Sequence, residues 1–360
     1  MMALQRALFL INTPYQLMVA INLAESNYKE WKRDLIISDR LTGASELAQR
    51  VKNENIFETV YTMELSKICP QQDKKCAIRN TIRNPIKELN RVYTAFLFAN
   101  LNYDVTCIYR KLKHGNRKIE LHMFEDGFAS YSKYYEEYLE KFRARSGNGC
   151  KRLFHYITNQ AFRNIKGIFV FEPEIMTYQP EFPVIKMQNI DVSNKALLSV
   201  YNRVFNYSAA VDHYDKKVIF FEESYYADGF EVNDIAVVEK LADIVGKENI
   251  FVKIHPRNPQ NRFAELGYAT NKNTAIPWEV IAMNLDLSDK ILVTIASVAA
   301  IVPATMLGKK YTGILLMDLI EDDSFLKKNI TNLYKKVCDG QENLHVVNSV
   351  EELSACFKMK

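Results

Sequence analysis

Cysteine chemistry is the first thing this 360-residue sequence lacks. Its six cysteines (Cys69, Cys76, Cys107, Cys150, Cys338 and Cys356) form no CxxC pair and no metal-like spacing. That excludes a disulfide framework or a cysteine metal site and leaves reduced thiols in packing roles, as in a cytosolic protein. Long apolar runs are missing too. Ala7 to Ala24 is apolar, but Asn12, Pro14, Tyr15, Gln16 and Asn22 interrupt it and no clear cleavage site follows, so it does not read as a signal peptide. No other stretch reaches the roughly 18 uninterrupted apolar residues of a membrane span. The expected location is therefore the cytoplasm, including the inner membrane surface. Charge of one sign is scarce as well. Lys and Arg number 47 against 43 Asp and Glu, a formal net charge of +4, too small to argue for nucleic acid. There is no internal repeat, no low-complexity tract and no D-x-D triplet at a predicted strand end. The acidic run Glu321-Asp322-Asp323 reads as an exposed loop.

What is present is an ordinary globular balance of 48% apolar and 25% charged residues, which excludes wholesale disorder. A chain this long is expected to split into two domains. The basic residues cluster: Lys74, Lys75, Arg79, Arg83, Lys87 and Arg91 in one stretch, and Lys141, Arg143, Arg145, Lys151, Arg152, Arg163 and Lys166 in another. These are either solvated helix faces or a surface attracted to anionic lipid or an anionic glycan.

Short apolar runs alternate with amphipathic stretches, the pattern of βαβ units and a parallel sheet. Strands are expected at Leu8–Asn12, Asp34–Ser38, Thr59–Thr62, Val105–Tyr109 and Ile119–Phe124. Helices are expected at Tyr15–Ala24, near Ser45–Lys52, and at Pro85–Asn100, where Ile86, Leu89, Val92, Ala95 and Phe96 fall at helical spacing. Tyr131–Lys166 is aromatic and basic and reads as a helical insertion. Phe171–Val192 holds Pro173, Pro180 and Pro183 and reads as an extended linker. The alternation then restarts, with strands at Lys217–Phe221, Ile250–Ile254, Ile291–Thr294 and Tyr311–Leu316 and helices at Asp234–Val245 and Val298–Leu307. Pro303 inside the last helix must kink it or move its start. Ser349-Val350-Glu351-Glu352 resembles a capping box opening a final helix. The expected fold is α/β, two Rossmann-like domains facing across a cleft: residues 1–170 with an insertion near 131–166, a linker over 171–215, and residues 216–360.

In such sheets ligands sit beyond the carboxyl ends of the strands, and four strand ends carry polar chemistry. Glu125-Asp126-Gly127 follows Phe124; it offers a carboxylate as general base or makes an ordinary turn. Lys253-Ile254-His255-Pro256-Arg257 places a histidine, locked by proline, at a strand's carboxyl end; it is either an imidazole that, protonated, donates to a phosphate oxygen with Lys253 or Arg257 adding positive charge, or an ordinary structural histidine. Thr294 and Ser297 precede an apolar helix, as an anion site or a plain N-cap. Asn12-Thr13-Pro14-Tyr15-Gln16 places Thr13 as a cap and Tyr15 or Gln16 toward the cleft.

Together these residues resemble the bacterial sialyltransferases. The likeness is greatest to the lipooligosaccharide sialyltransferase family (glycosyltransferase family 52), with the polysialyltransferases and marine multifunctional sialyltransferases as more distant relatives. The acid-acid-Gly, His-Pro and serine motifs of those groups are matched by Glu125-Asp126-Gly127, His255-Pro256 and Ser297. The opening Phe9–Leu17 is similar to the lipooligosaccharide family's N-terminus. The resemblance implies an inverting, metal-independent, cofactor-free transfer from CMP-sialic acid to a sugar hydroxyl, such as that of galactose, on lipooligosaccharide or capsule. It implies Asp126, or its neighbour Glu125, as base, with Asp228 in the second domain as the competing choice. It implies His255 as acid or phosphate partner, Lys253 as a nucleotide contact and Glu279 as a ribose ligand (or an acidic residue favoured at a helix start). Ser297 or Thr294 would bind phosphate, because the families' paired serines are here Ala296-Ser297-Val298. A homodimer and peripheral contact with anionic membrane complete the implied partners. Two readings compete: a transferase using another nucleotide sugar, such as a UDP-hexose, and a catalytically silent glycan-binding protein.

Overall fold

The structure, a computed structural model, describes residues 5–70, 72–127, 129–143, 160–209, 212–229, 232–320, 325–339 and 341–358. The chain divides into two compact units, residues 1–188 and 189–360. Each is built on one parallel sheet, because its strands are continuous apolar runs that must be covered on both faces.

In the first unit the strands are β1 (Arg6–Ile11), β2 (Lys32–Ser38), β3 (Thr59–Met63), β4 (Ala95–Phe98), β5 (Glu120–Phe124), β6 (Ile165–Val170) and β7 (Val184–Lys186). They lie in the order β3-β2-β1-β4-β5-β6-β7, every pair parallel. Leu8, Phe9, Leu10 and Ile11 of β1 are at most 1% exposed, each worth ~1.5–3 kcal/mol by burial. The second unit contains β8 (Val218–Phe221), β9 (Ile250–Lys253), β10 (Ala269–Thr270), β11 (Ile291–Thr294), β12 (Thr312–Leu315) and β13 (Leu344–Val346). Their order is β10-β9-β8-β11-β12-β13, again all parallel. Both sheets reverse direction of growth beside their first strand, between β1 and β4 and between β8 and β11. Such a switch point opens a crevice at the strands' carboxyl ends.

Two expected elements exchange identity. Pro85–Asn100 is not a helix. Asn84, at φ 52°, ends the helix Lys74–Arg83 in the left-handed region, the following proline bars continuation, and Ala95–Phe98 forms the central strand β4. Val105–Tyr109 is not a strand but part of the helix Tyr103–Gly115, capped by Asn102, whose Oδ1 accepts from the Val105 N–H at 3.0 Å. A short buried apolar run satisfies both periodicities, and there the β-branched Val105, Thr106 and Ile108 misdirect.

The expected insertion and linker are also redrawn. Residues 144–159 lie outside the described residues, but Ala129–Tyr131, the helix Lys133–Arg143 and Phe162–Asn164 lead from β5 to β6. Parallel neighbours require such a crossover, so the segment is a connection of the sheet itself. The proline-rich stretch is no free linker. The Pro183 carbonyl accepts from the Ile168 N–H at 2.9 Å and β7 pairs with β6, a proline tolerated at the start of an edge strand. From Asn189 on, the chain belongs to the second unit, where the Asn189 side chain donates to the Thr305 carbonyl at 3.1 Å.

Pro303 does move a helix start: Val298–Ala300 is a 3-10 turn and a short helix, Val302–Thr305, begins beside the proline. Ser349 caps the helix Val350–Lys358 by accepting from the Glu352 N–H at 3.2 Å. The cysteines among the described residues are unpaired. Among the described residues no helix is long and apolar enough to cross a membrane.

Candidate active-site residues in the two units

In the first unit the carboxyl ends of β1, β4 and β5 come together beside the switch point. Thr13 caps the helix Pro14–Glu25, its hydroxyl accepting from the Gln16 N–H at 3.2 Å. Gln16 is fully buried and accepts from the Asn12 N–H at 2.7 Å, so it shapes the turn and does not face an open cleft. Tyr15 donates to Glu125 Oε1 at 2.5 Å. Tyr131 donates to Glu125 Oε2, and the Phe171 N–H reaches the same oxygen at 2.8 Å. Glu125 is therefore enclosed, 2% exposed. Burial, with Asp126 beside it, outweighs those donors and pushes its carboxyl up to about 7.

Asp126 differs from its neighbour in every respect. It is half-buried, accepts from Asn100 Nδ2 at 2.5 Å, and donates its N–H to Ser130 Oγ at 2.8 Å. Gly127 follows at φ 66°, its Cα side facing the Tyr15 ring, and only glycine takes that backbone cheaply. The pair Glu125-Asp126 is thus one anchor and one presented carboxylate.

In the second unit β8, β9 and β11 end side by side. His255, two residues beyond β9, has its Nδ1 accepting from the Arg257 N–H at 3.2 Å, which puts the proton of the neutral ring on Nε2. Burial, then Arg257 and Lys253, push its pKa down to about 4. The imidazole expected to be protonated is held neutral in the free protein. Lys253 ends β9, 7% exposed, with its pKa lowered by burial. Glu279, at the start of the helix Trp278–Asn284, has its pKa raised by burial. These two opposite charges attract one another.

Ser297 caps the turn after β11, its hydroxyl accepting from the Ala299 N–H at 3.3 Å. Thr294 is fully buried and donates to Glu223 Oε1 at 2.6 Å, so its hydroxyl is committed. Asp228 ends a one-turn helix, Tyr225–Asp228. Its carboxylate is gripped by Arg257 through contacts of 2.8 and 3.1 Å and by Ser224 at 2.7 Å, and its pKa is lowered by Ser224, Arg257 and His255. Pro256 is exposed between His255 and Arg257. Among the described residues no group of three or more His, Cys, Asp or Glu is placed to hold a metal ion.

Sequence reasoning passed over Asn100, Tyr131, Glu222 and Glu223. Asn100 follows β4, whose strand identity had been missed, and an asparagine just past an apolar run was the available signal. Glu222-Glu223 follows β8 as another acidic pair after a strand, the same signal that drew attention to Glu125-Asp126.

Comparison with known proteins now bears on this geometry. The family model described as alpha-2,8-polysialyltransferase matches residues 7–311. Among solved structures the chain is similar to an alpha/beta-galactoside alpha-2,3-sialyltransferase from the luminous marine bacterium Photobacterium phosphoreum, at 13% identity over 97% of this chain and 99% of that one, TM-score 0.52. It is similar to LpCGTa, solved in complex with UDP, at 10% identity over 98% and 89%, TM-score 0.52. It is also similar to a UDP-N-acetylglucosamine 2-epimerase, at 12% identity over 100% and 87%, TM-score 0.51. At these identities the structures speak for the fold, two Rossmann-like α/β units of GT-B type. No curated protein matches.

Proposed function

We propose, for a chain that belongs to the alpha-2,8-polysialyltransferase family and is a sialyltransferase, that it moves sialic acid from CMP-sialic acid to a hydroxyl of the terminal sugar of a surface glycan such as lipooligosaccharide or capsule. The observation that carries the donor half is the row of strand ends in the second unit: His255 beyond β9 and the Ser297 turn beyond β11, on the two strands that flank β8. The sequence left the acceptor open. Galactose is one choice, and the family's name adds a sialic acid already in place, joined 2,8.

In this reading Asp126 accepts the proton of the acceptor hydroxyl, whose oxygen bonds to the sialyl carbon as the bond to the CMP phosphate breaks. The β-linked donor then gives an α-linked product. The Nε2–H of His255 donates to the departing phosphate oxygen, and the arriving anion raises the imidazole's affinity for its proton. The Ser297 hydroxyl holds the phosphate, Lys253 contacts the nucleotide, and Glu279 takes the ribose hydroxyls. CMP is a good leaving group, so the protein's task is a base, a phosphate partner and exclusion of water. Asp228 serves poorly as base because Arg257 and Ser224 already occupy its carboxylate. Glu125 serves as the anchor beneath Asp126. For the membrane contact, the supporting features are the exposed Arg79, Arg83 and Lys87 and the exposed Ile82 (49%) and Val92 (62%), while Arg91 is paired with Asp34 and Glu58.

The test is CMP release from CMP-sialic acid, alone and with lactoside or sialyl-lactoside acceptors, followed by linkage analysis of the product. Release that rises with acceptor supports the reading. Absence of release together with absence of a thermal shift by CMP or CDP refutes it, and a shift by UDP alone would favour another nucleotide sugar.

A further inference from the structure

Strand β8 lies at the centre of the second sheet, hydrogen-bonded to β9 on one side and β11 on the other. It ends in two consecutive carboxylates, Glu222 and Glu223, neither of which the mechanism above uses. Their side chains part. Glu222, 3% exposed, accepts the His255 N–H at 3.1 Å through Oε2 and binds Arg262 at 3.1 Å through Oε1. Arg262 is pinned in turn by Asp234 at 2.5 Å. Glu223 goes to the other neighbour. Its Oε1 accepts from the Thr294 hydroxyl at 2.6 Å, the Ala296 N–H at 2.6 Å and the Ser297 N–H at 2.8 Å. One residue pair therefore holds both turns that the donor half of the reaction would use.

Glu223 is not placed where stability alone would put it. Glu223 Oε2 is buried with no hydrogen-bond partner, an expense that a neutral or apolar side chain would avoid. Burial accordingly pushes the Glu223 carboxyl up to about 7. The backbone N–H groups of Ala296 and Ser297 form a small anion nest, and Glu223 fills it from inside. The nest is thereby fixed in one shape, while the Ser297 hydroxyl stays at the turn's start.

We propose that Glu222 and Glu223 are positioning residues that act separately, Glu222 setting the His255 turn and Glu223 setting the Ser297 turn. This rests on the sialyl-donor reading for its kinetic consequences, though not for its structural ones. The His255 contact matters when charge moves to the phosphate, so loosening it lowers turnover with CMP binding kept. The Ser297 hydroxyl, set by its turn, holds the phosphate throughout, so loosening that turn weakens CMP binding first.

The experiment compares wild type with Glu222→Gln and Glu223→Gln at about pH 8, where the Glu223 carboxylate is ionised. Glutamine keeps the shape and removes the charge; at Glu222 it places an amide N–H₂ where a donor already points, and at Glu223 it leaves a neutral carbonyl facing the three donors that Oε1 now holds. Hydrogen exchange measured by mass spectrometry on the free protein is the first arm. E222Q is expected to speed exchange about tenfold or more over the segment around His255 and leave that around Ser297 unchanged, and E223Q the reverse. Kinetics and CMP affinity are the second arm. E222Q is expected to lower kcat about tenfold with the CMP Kd within about threefold, and E223Q to raise the Kd about tenfold with a smaller effect on kcat. If both variants loosen both turns equally, or neither turn, the inference is overturned. If wild type neither binds CMP nor releases it, the donor reading fails, and the exchange arm still decides whether the two carboxylates divide the turns between them.

Discussion

Replacing Glu125 by glutamine isolates a cost that the first unit carries at neutral pH. Buried at the end of β5, the carboxyl titrates near 7 instead of its ordinary 4.5. Between those values the folded chain holds more protons at this group than the unfolded chain does. Its contribution to stability is therefore complete below about pH 4.5, falls as pH rises, and is lost above about pH 7. For one group with these two constants, the loss between about pH 5 and about pH 8 is ~2.5 kcal/mol. Glutamine does not titrate, so that slope vanishes in E125Q. The variant also forfeits part of the bonding to Tyr15, Tyr131 and the Phe171 N–H, a pH-independent cost of ~1–3 kcal/mol that displaces its curve without tilting it. The assay is urea unfolding followed by circular dichroism and by the fluorescence of Trp31 and Trp278, one in each unit, at about pH 5, 6, 7 and 8. The difference between wild type and E125Q should narrow or reverse by ~2.5 kcal/mol across that range, in the transition that carries Trp31. Parallel curves, within about 0.5 kcal/mol, would show that the buried carboxyl is not the proton-holding group and would refute the assignment.

The base assignment is tested by D126N and D228N. The first should lower kcat about 10²–10⁴-fold with CMP affinity unchanged, the second by less than about tenfold, chiefly by freeing Arg257; the opposite ranking of the two variants would move the base to the second unit. His255 should remain neutral in the free protein down to about pH 4 by nitrogen NMR, and CMP should raise that value; a free-state titration near 6.5 would contradict the burial and Arg257 effects.

Much of the second unit was legible in its sequence, because Val218–Phe221, Ile250–Lys253 and Ile291–Thr294 are apolar runs bounded by polar residues. The helix Asp234–Val245 combines the period and the length of a surface helix. The His255 and Ser297 turns followed from knowing where those strands end. In the first unit the exchange of β4 with the following helix hid the carboxyl end of β4, and with it Asn100, the partner of Asp126. Tertiary placement decided that case: Ala95–Phe98 is fully enclosed between β1 and β5, and a side chain enclosed on all sides shows no periodicity. The roles within Glu125-Asp126 were illegible for another reason. Two adjacent acids look alike in sequence, and only Tyr15, Tyr131 and Phe171, distant along the chain, make one an anchor and leave the other presented.

The same contrast supports the proposal that base and phosphate chemistry fall to different units. A general base needs a carboxylate that water or a substrate can reach and that no cation has already claimed. The Asp126 carboxylate meets this with a neutral partner, Asn100. Near His255 the requirement cannot be met. The charge of Arg257 and Lys253 that, after burial, depresses the imidazole would suit a departing phosphate, and Ser224 with Arg257 and His255 holds Asp228 below the usual carboxylate range. A carboxylate made less basic by the phosphate's own binding groups is a weaker proton acceptor. In the proposed reaction a base on the first unit avoids that conflict, and Glu222 and Glu223 are left to hold the His255 and Ser297 turns.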